Sequence, residues 1–235
     1  MQSWTLGFLC YNEEHSIIKV VDCAYETLSK MTPDFEVIVI NDGSNDSSLS
    51  LIEEYRINKE PNLKIINHGV NKGIGEGLRS GYNEASKDNV LITCGDGQFD
   101  IKELLKYKEI EEKTVICFYR RNNTVYDLRR NYLSALNKYL NKYLIGLDLK
   151  DVNWAKVYKL SEIKKINLEL RSSLLETEIC AKLKINNNRF VEVESKYLNR
   201  TGGVSKGANL RIVKKAVFEL LKLIYVVFKF NLKKK

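Results

Sequence analysis

Four short polar runs hold the side chains that could do chemistry: Tyr11-Asn12-Glu13, Asn41-Asp42-Gly43-Ser44, Asn71 to Gly75, and Asp96 to Asp100. In the last run Asp96, Gln98 and Asp100 offer oxygen atoms to a hard divalent cation, Mg²⁺ or Mn²⁺, that could bridge to a diphosphate. A cation there would offset charge developing on a departing nucleoside diphosphate. Gly73, Gly75 and Gly77 would admit a close backbone approach. The phosphate patterns G-x-G-x-x-G and G-x-x-x-x-G-K-[ST] are both absent, which argues against a dinucleotide or P-loop site. Taken singly, each run also has a plain structural explanation, Asn12 as a helix cap and Asp42-Gly43 as a turn.

The elements around these runs decide whether they act together. Trp4–Cys10 reads as a strand, after which Asn12 is placed to cap a helix with Glu13 and Glu14 in its first turn. Phe35–Ile40 is a continuous β-branched run suited to a strand buried on both faces, with a helical stretch through Tyr55 beyond it. Leu63–Ile66 and Val90–Cys94 read as further strands, Gly75–Ala85 as a helix, and another helix is expected from about Ile101. Such alternation predicts an α/β fold with a mostly parallel sheet. Ligands of such sheets bind outside the carboxyl ends of the strands, where all four runs fall, so one shared crevice is expected. Further on, Asp127–Leu144 reads as a long amphipathic helix, Trp154–Tyr158 as a strand, Leu174–Leu183 as a helix and Phe190–Val193 as a strand.

In these runs the sequence resembles glycosyltransferase family 2. The matching pieces are Tyr11-Asn12-Glu13-Glu14, Asn41-Asp42-Gly43-Ser44, Asn71-x-Gly73-x-Gly75 with Gly81, and Gly95-Asp96-Gly97-Gln98-Phe99-Asp100, in the family's order and spacing. The resemblance implies a Rossmann-like, nucleotide-sugar-binding fold of the glycosyltransferase A type. It makes Asp42 a nucleoside contact and Asp96–Asp100 the loop that binds metal and donor diphosphate. Tyr11, Asn12, Glu13, Gly43, Asn71, Gly73, Gly97 and Gln98 complete the implied donor site, with Asp96 and Gln98 as metal ligands. Cys94 stands where the family usually completes Asp-x-Asp, and a thiol is a poor partner for a hard cation. The subgroup most resembled glycosylates polyprenyl phosphate. Arg120 after an apolar strand, Arg130 with Ser134 on one helix face, and the Arg200-Thr-Gly-Gly-Val-Ser-Lys206 run then become contacts to an acceptor phosphate. Tyr197 stands where that subgroup commonly has His, and Trp154 where it has a small residue.

A phosphate monoester is largely dianionic near neutral pH (second pKa about 6), so such an acceptor needs positioning more than deprotonation. The expected chemistry is inverting transfer with Asp96 and Arg130 in catalytic roles. A hydroxyl acceptor would need a general base. Glu176 and Glu178 read either as that base or as exposed helical charges, and His15 and His68 as surface or turn residues. Two alternatives remain: a family 2 enzyme extending a cell-surface polysaccharide or glycolipid, and a catalytically impaired donor-binding scaffold.

Of the formal net charge of +8, residues 211–235 carry +7 through eight basic residues and one acidic, leaving the rest of the chain at +1. Nucleic acid is therefore not an expected partner. Residues 1–210 are expected to form the transferase domain (1–120 donor half, 121–210 acceptor half). Residues 211–235 are expected to form a basic amphipathic tail. Its longest uncharged run, Leu223–Phe228, is six residues, against the ~20 needed to span a bilayer. An interfacial helix on anionic lipid is expected, or else docking on its own domain or on a second subunit in a homo-oligomer. Five dispersed cysteines lack C-x-x-C spacing, and residues 1–20 lack a secretory pattern. Both favour the cytoplasm, peripheral to the inner face of the cell membrane.

Overall fold

A computed structural model describes residues 1–120, 138–139, 141–200 and 210–234, with only the helical backbone described for 210–218. One sheet of seven strands runs through it: β1 (Trp4–Cys10), β2 (Phe35–Asn41), β3 (Lys64–Asn67), β4 (Asn89–Cys94), β5 (Thr114–Arg120), β6 (Lys156–Lys159) and β7 (Arg189–Ser195). The order is β3-β2-β1-β4-β6-β5-β7, and among the described residues only β6 runs against the others. The mostly parallel α/β sheet expected from strand–helix alternation therefore forms.

Helices α1 (Ile17–Ser29), α2 (Ser48–Asn58), α3 (Ile74–Glu84), α4 (Leu160–Lys164), α5 (Leu175–Ile185) and α6 (Leu210–Leu232) accompany the sheet, together with a 3₁₀ helix at Ile101–Lys106. The alternation of side chains in β2 shows how both faces are covered. Val37 and Val39 pack with α1 and α2 residues such as Val21, Leu28 and Ile52, while Ile38 and Ile40 pack with Leu78 and Tyr82 of α3. Both sets are removed from water, which is why the run carries no polar alternation. From β1 the chain steps outward to β2 and β3, then returns to place β4 on the other edge of β1. That reversal opens a crevice between the carboxyl ends of β1 and β4.

Several local expectations change. Asn12 does not cap α1, which begins at Ile17; it has a left-handed φ of 58°, and its side chain serves another loop. The helix expected from Ile101 is a 3₁₀ helix capped by the Asp100 carboxylate, which accepts from Lys102 N. Trp154 precedes β6 rather than belonging to it. Of the expected helix Asp127–Leu144, residues 121–137 and 140 lie outside the described residues, and 138–139 and 141–144 are helical.

One face of α6 docks on the domain. Leu223 and Val227 enter the core that contains Leu175 and Ile179 of α5, and Val226 is buried beside them. Ser172 N donates to Glu219 at 3.0 Å, and Lys222 Nζ donates to Glu169 O at 2.8 Å. On the opposite side Leu221, Tyr225, Phe228 and Leu232 are exposed, at helical spacing that makes one stripe. Among the described residues no helix is long and apolar enough to cross a membrane.

Candidate active site

The loops after β1, β2 and β3 are laced together at the carboxyl edge of the sheet. Asn12 N donates to Ser44 Oγ (3.0 Å), Asn45 N to Asn12 Oδ1 (2.8 Å) and Glu13 N to Ser48 Oγ (2.8 Å). Asn12 is thus a strut between two loops, and its left-handed backbone is one that Asn tolerates. Asp42 follows β2 and accepts from Lys72 N at 2.9 Å, Gly73 N at 2.8 Å and the His68 ring at 2.7 Å. Gly43 has φ +70°, and a Cβ there would lie 2.5 Å from the Val70 carbonyl carbon, so the close approach of these loops requires glycine. Tyr11 is half-buried beside them, and Asn71 is exposed at the tip of the β3–α3 loop. The other glycines divide: Gly73 has open space around it, whereas Gly75 packs on the Arg171–Ser172 backbone and Gly77 on Leu9. At Gly75 and Gly77 the close neighbour is the protein itself, while Gly73 faces open space.

The acidic centre lies between β1 and β4. Ser16 Oγ donates to Gly95 O at 2.9 Å, fixing the start of α1 against the β4 turn. Gln98 N donates to Asp96 Oδ1 at 3.1 Å, which orients that carboxylate, and Gly97 provides the positive φ of 74° for the turn. Arg200 forms an ion pair with Glu13, and its Nη1 lies 4.0 Å from Asp96 Oδ2. Burial pushes the pKa of Glu13 and of Asp96 up, and Arg200 opposes the rise in both. Cys94 lies along this wall. Cys94 is exposed to solvent; local crowding and the nearby Asp96 and Glu13 charges push its thiol pKa up, and a soft thiol is a poor ligand for a hard cation.

Across the crevice Arg120, the last residue of β5, donates from Nε to Asp151 Oδ2 at 2.7 Å. Its guanidinium stacks over Trp154 at 4.5 Å and faces Tyr197 at 5.8 Å. Tyr197 also accepts the Gln98 amide N–H, and Leu198 N donates to Gln98 O at 3.0 Å. Trp154 and Tyr197, both departures from the subgroup pattern, thus form one wall joining Arg120 to the Asp96 loop. Arg130, Ser134 and residues 201–209 lie outside the described residues.

The donor set can be matched to a cation. Among the described residues no three His, Cys, Asp or Glu side chains converge as a self-sufficient cage. Asp96 with the Gln98 amide oxygen supplies the few protein oxygens that Mg²⁺ or Mn²⁺ uses when substrate phosphates complete its shell. Asp100 Oδ1 accepts from Lys102 N at 3.1 Å and caps the 3₁₀ helix.

Three residues differ from their sequence reading. His68 is not a surface residue: its side chain is 5% exposed and bound at both ring nitrogens, to Asp42 and to Ser80 Oγ at 2.8 Å. Glu176 accepts from Tyr82 Oη (2.8 Å), Tyr158 Oη (2.6 Å) and Lys156 Nζ (3.4 Å). Glu178 is fully buried, accepting the Glu169 and Leu170 amides at 2.8 Å and pairing with Lys182. Neither glutamate is an exposed charge, and both are consumed in core networks. A lone His between turn residues carries no sequence signal of this burial; only the β3–α3 loop folding over β2 reveals it.

The profile described as Glycosyl transferase family 2 matches residues 7–158. A dolichyl-phosphate beta-glucosyltransferase of Trichomonas vaginalis is 32% identical over 108 residues, 44% of this chain and 31% of that protein. A poly-beta-1,6-N-acetyl-D-glucosamine synthase of Staphylococcus epidermidis is 34% identical over 91 residues, 39% of this chain and 21% of that protein. The chain therefore spans a third or less of either relative's length. Among solved structures, glucosyl-3-phosphoglycerate synthase from Mycobacterium tuberculosis, in complex with Mn²⁺, UDP-glucose and phosphoglyceric acid, superposes with a TM-score of 0.66 at 14% identity. That match covers 96% of this chain and 80% of the other, and establishes the glycosyltransferase A type of fold. With the matched profile spanning the sheet edge that holds Glu13, Asp42 and Asp96, the chain belongs to glycosyl transferase family 2.

Proposed function

We propose that this chain transfers a sugar, with inversion, from a nucleotide-sugar donor to a polyprenyl phosphate at a membrane surface. The observation that carries this reading is Arg200, a basic residue of the acceptor half that reaches both Glu13 and Asp96 of the donor half. A phosphate drawn to Arg200 and Arg120 lies beside the donor's reacting end.

In this reading Asp42 contacts the nucleoside, with Tyr11, Asn12, Gly43, Asn71 and Gly73 shaping the pocket. Asp96, Gly97 and Gln98 hold the diphosphate end, where Asp96 and Gln98 are the ligands for Mg²⁺ or Mn²⁺. The bound cation would offset charge on the leaving diphosphate. Arg120, Arg130, Ser134 and Arg200 orient the acceptor phosphate, converting an encounter of two anions into a held geometry. A dianionic phosphate attacks without a protein base, and the engagement of Glu176 and Glu178 in core networks agrees with that. The dolichyl-phosphate relative supports this acceptor class.

The exposed stripe Leu221–Tyr225–Phe228–Leu232, flanked by Lys222, Lys229, Lys233 and Lys234, suits contact with an anionic bilayer at the inner face of the cell membrane. The polysaccharide synthase relative favours a second reading, extension of a glycan. Radiolabelled sugar recovered in solvent-extractable lipid supports the first; label confined to water-soluble glycan supports the second. For the donor site, a nucleoside diphosphate with Mn²⁺ is expected to raise Tm by mass action. Asp96→Ala is expected to abolish most of the shift, and an unchanged shift in that variant refutes the assigned cation site.

A further inference from the structure

Asp42 sits at the meeting point of β2 and the β3–α3 loop, and almost all of its acceptor capacity is taken by the protein. A carboxylate has about four lone-pair positions. Oδ1 accepts from His68 Nδ1 and Lys72 N, and Oδ2 accepts from Gly73 N. One position, on Oδ2, is left for a ligand donor. Where it points depends on how the carboxylate is turned, and two of the three groups turning it are amides of a loop whose tip is exposed.

His68 is the group that ties this arrangement to the rigid body of the domain. Its backbone N–H donates to Asn41 O at 3.0 Å, anchoring it to the end of β2. Its Nε2 meets Ser80 Oγ at 2.8 Å, and Ser80 belongs to α3, which packs on the sheet. The Asn41 side chain adds a parallel tie to Asn67 Oδ1 at 2.9 Å. The imidazole is therefore a bridge from α3 to the Asp42 carboxylate, nearly removed from water, with its Nδ1–H on Asp42 and Nε2 on the serine hydroxyl.

We infer that His68 is a positioning residue for donor recognition: it sets the rotation of the Asp42 carboxylate and the path of the 69–73 loop, so that Oδ2 is presented to an N–H of the nucleobase. It touches no reacting atom. Its loss weakens donor binding and leaves the chemical step nearly intact. This role rests on the reading of Asp42 as the nucleoside contact.

The test uses the whole chain with uridine diphosphate and Mn²⁺ as the probe, by isothermal titration calorimetry, alongside steady-state kinetics with donor. His68→Phe keeps a ring and removes both polar ends; His68→Asn restores an N–H near the position of Nδ1. Expected are a tenfold or larger weakening of the probe in His68→Phe and recovery to within about threefold in His68→Asn. Donor KM should rise in His68→Phe while kcat stays within about twofold. Ser80→Ala, which removes only the outer end of the bridge, is expected to weaken binding two- to fivefold and covers the case of a His68→Phe chain that does not fold. Wild-type affinity in His68→Phe, equal losses in the Phe and Asn variants, or a fall in kcat with KM unchanged overturns the role. Asp42→Ala separates the two levels: if it binds the probe like the wild type, the nucleoside reading itself fails. If Asp42→Ala loses binding while the His68 and Ser80 variants keep it, only the bridge fails.

Discussion

Arg200 pairs with Glu13 and lies 4.0 Å from Asp96, so one guanidinium holds together two carboxylates that burial makes harder to ionise. The same cation opposes any second cation at Asp96, because like charges at such a distance in a partly desolvated crevice repel by more than thermal energy. Arg200→Ala is therefore expected to bind Mn²⁺ alone about tenfold more tightly, measured by electron paramagnetic resonance titration. It should also lower kcat/KM about 100-fold, the order seen on losing one transition-state donor. Arg200→Lys should recover only part of that rate, lacking the planar fork. Asp96 and Gln98 stood out in the sequence as oxygen-bearing side chains in one turn after a strand, and Arg200 through the resemblance of its run to a loop near an acceptor phosphate. His68 was not, because nothing in Asn67-His68-Gly69 distinguishes a turn residue from a buried bridge until its two partners, 26 and 12 residues away, are placed.

The helix α6 shows how one amphipathic element divides its work. Leu223, Val226 and Val227 face the core, while Leu221, Tyr225, Phe228 and Leu232 face outward on the opposite side. Charge arc and apolar content alone could not separate docking on the domain from lying on a bilayer, since both need an apolar face. Two apolar faces exist, and the docked one is settled by contacts with α5. The two predict different phenotypes. Leu223→Ala is expected to cost about 2–4 kcal/mol of stability through lost burial and a cavity, read from denaturant midpoints. Tyr225→Ser with Phe228→Ser should leave those midpoints nearly unchanged while reducing sedimentation with phosphatidylserine-containing vesicles several-fold. Unaltered sedimentation in that double variant would remove α6 as the membrane contact.

Across the whole domain, stability depends on polar ties that join distant segments of the sheet. Glu36 of β2 accepts from Thr5 Oγ1 of β1 (2.6 Å), from Ser86 N (2.7 Å) and Oγ (2.8 Å), and pairs with Lys64 of β3 at 2.9 Å. Desolvation raises the pKa of its carboxyl, but these bonds outweigh it and hold the group below its ordinary value of 4.5. The folded state thus favours the ionised form. Its contribution is complete above pH 4.5 and disappears as pH falls through the depressed folded value. Glu36→Gln is expected to lose about 1–2 kcal/mol at pH 7, and the gap to wild type should shrink as unfolding is repeated toward pH 3. A gap independent of pH would contradict the assignment.

The strand–helix alternation, the β2 run buried on both faces and the four polar runs at strand ends were determined by local pattern, because backbone geometry gives each element its own periodicity and ligands of parallel sheets collect at the carboxyl edge. Only the tertiary structure decided what each polar side chain is for. Asn12 became a strut rather than a cap, Asp100 caps the 3₁₀ helix, Glu176 and Glu178 accept in core networks rather than standing exposed, and His68 lies behind Asp42. A polar group's role is set by which donors and acceptors reach it once water is excluded. Those partners come from segments that the chain order keeps far apart.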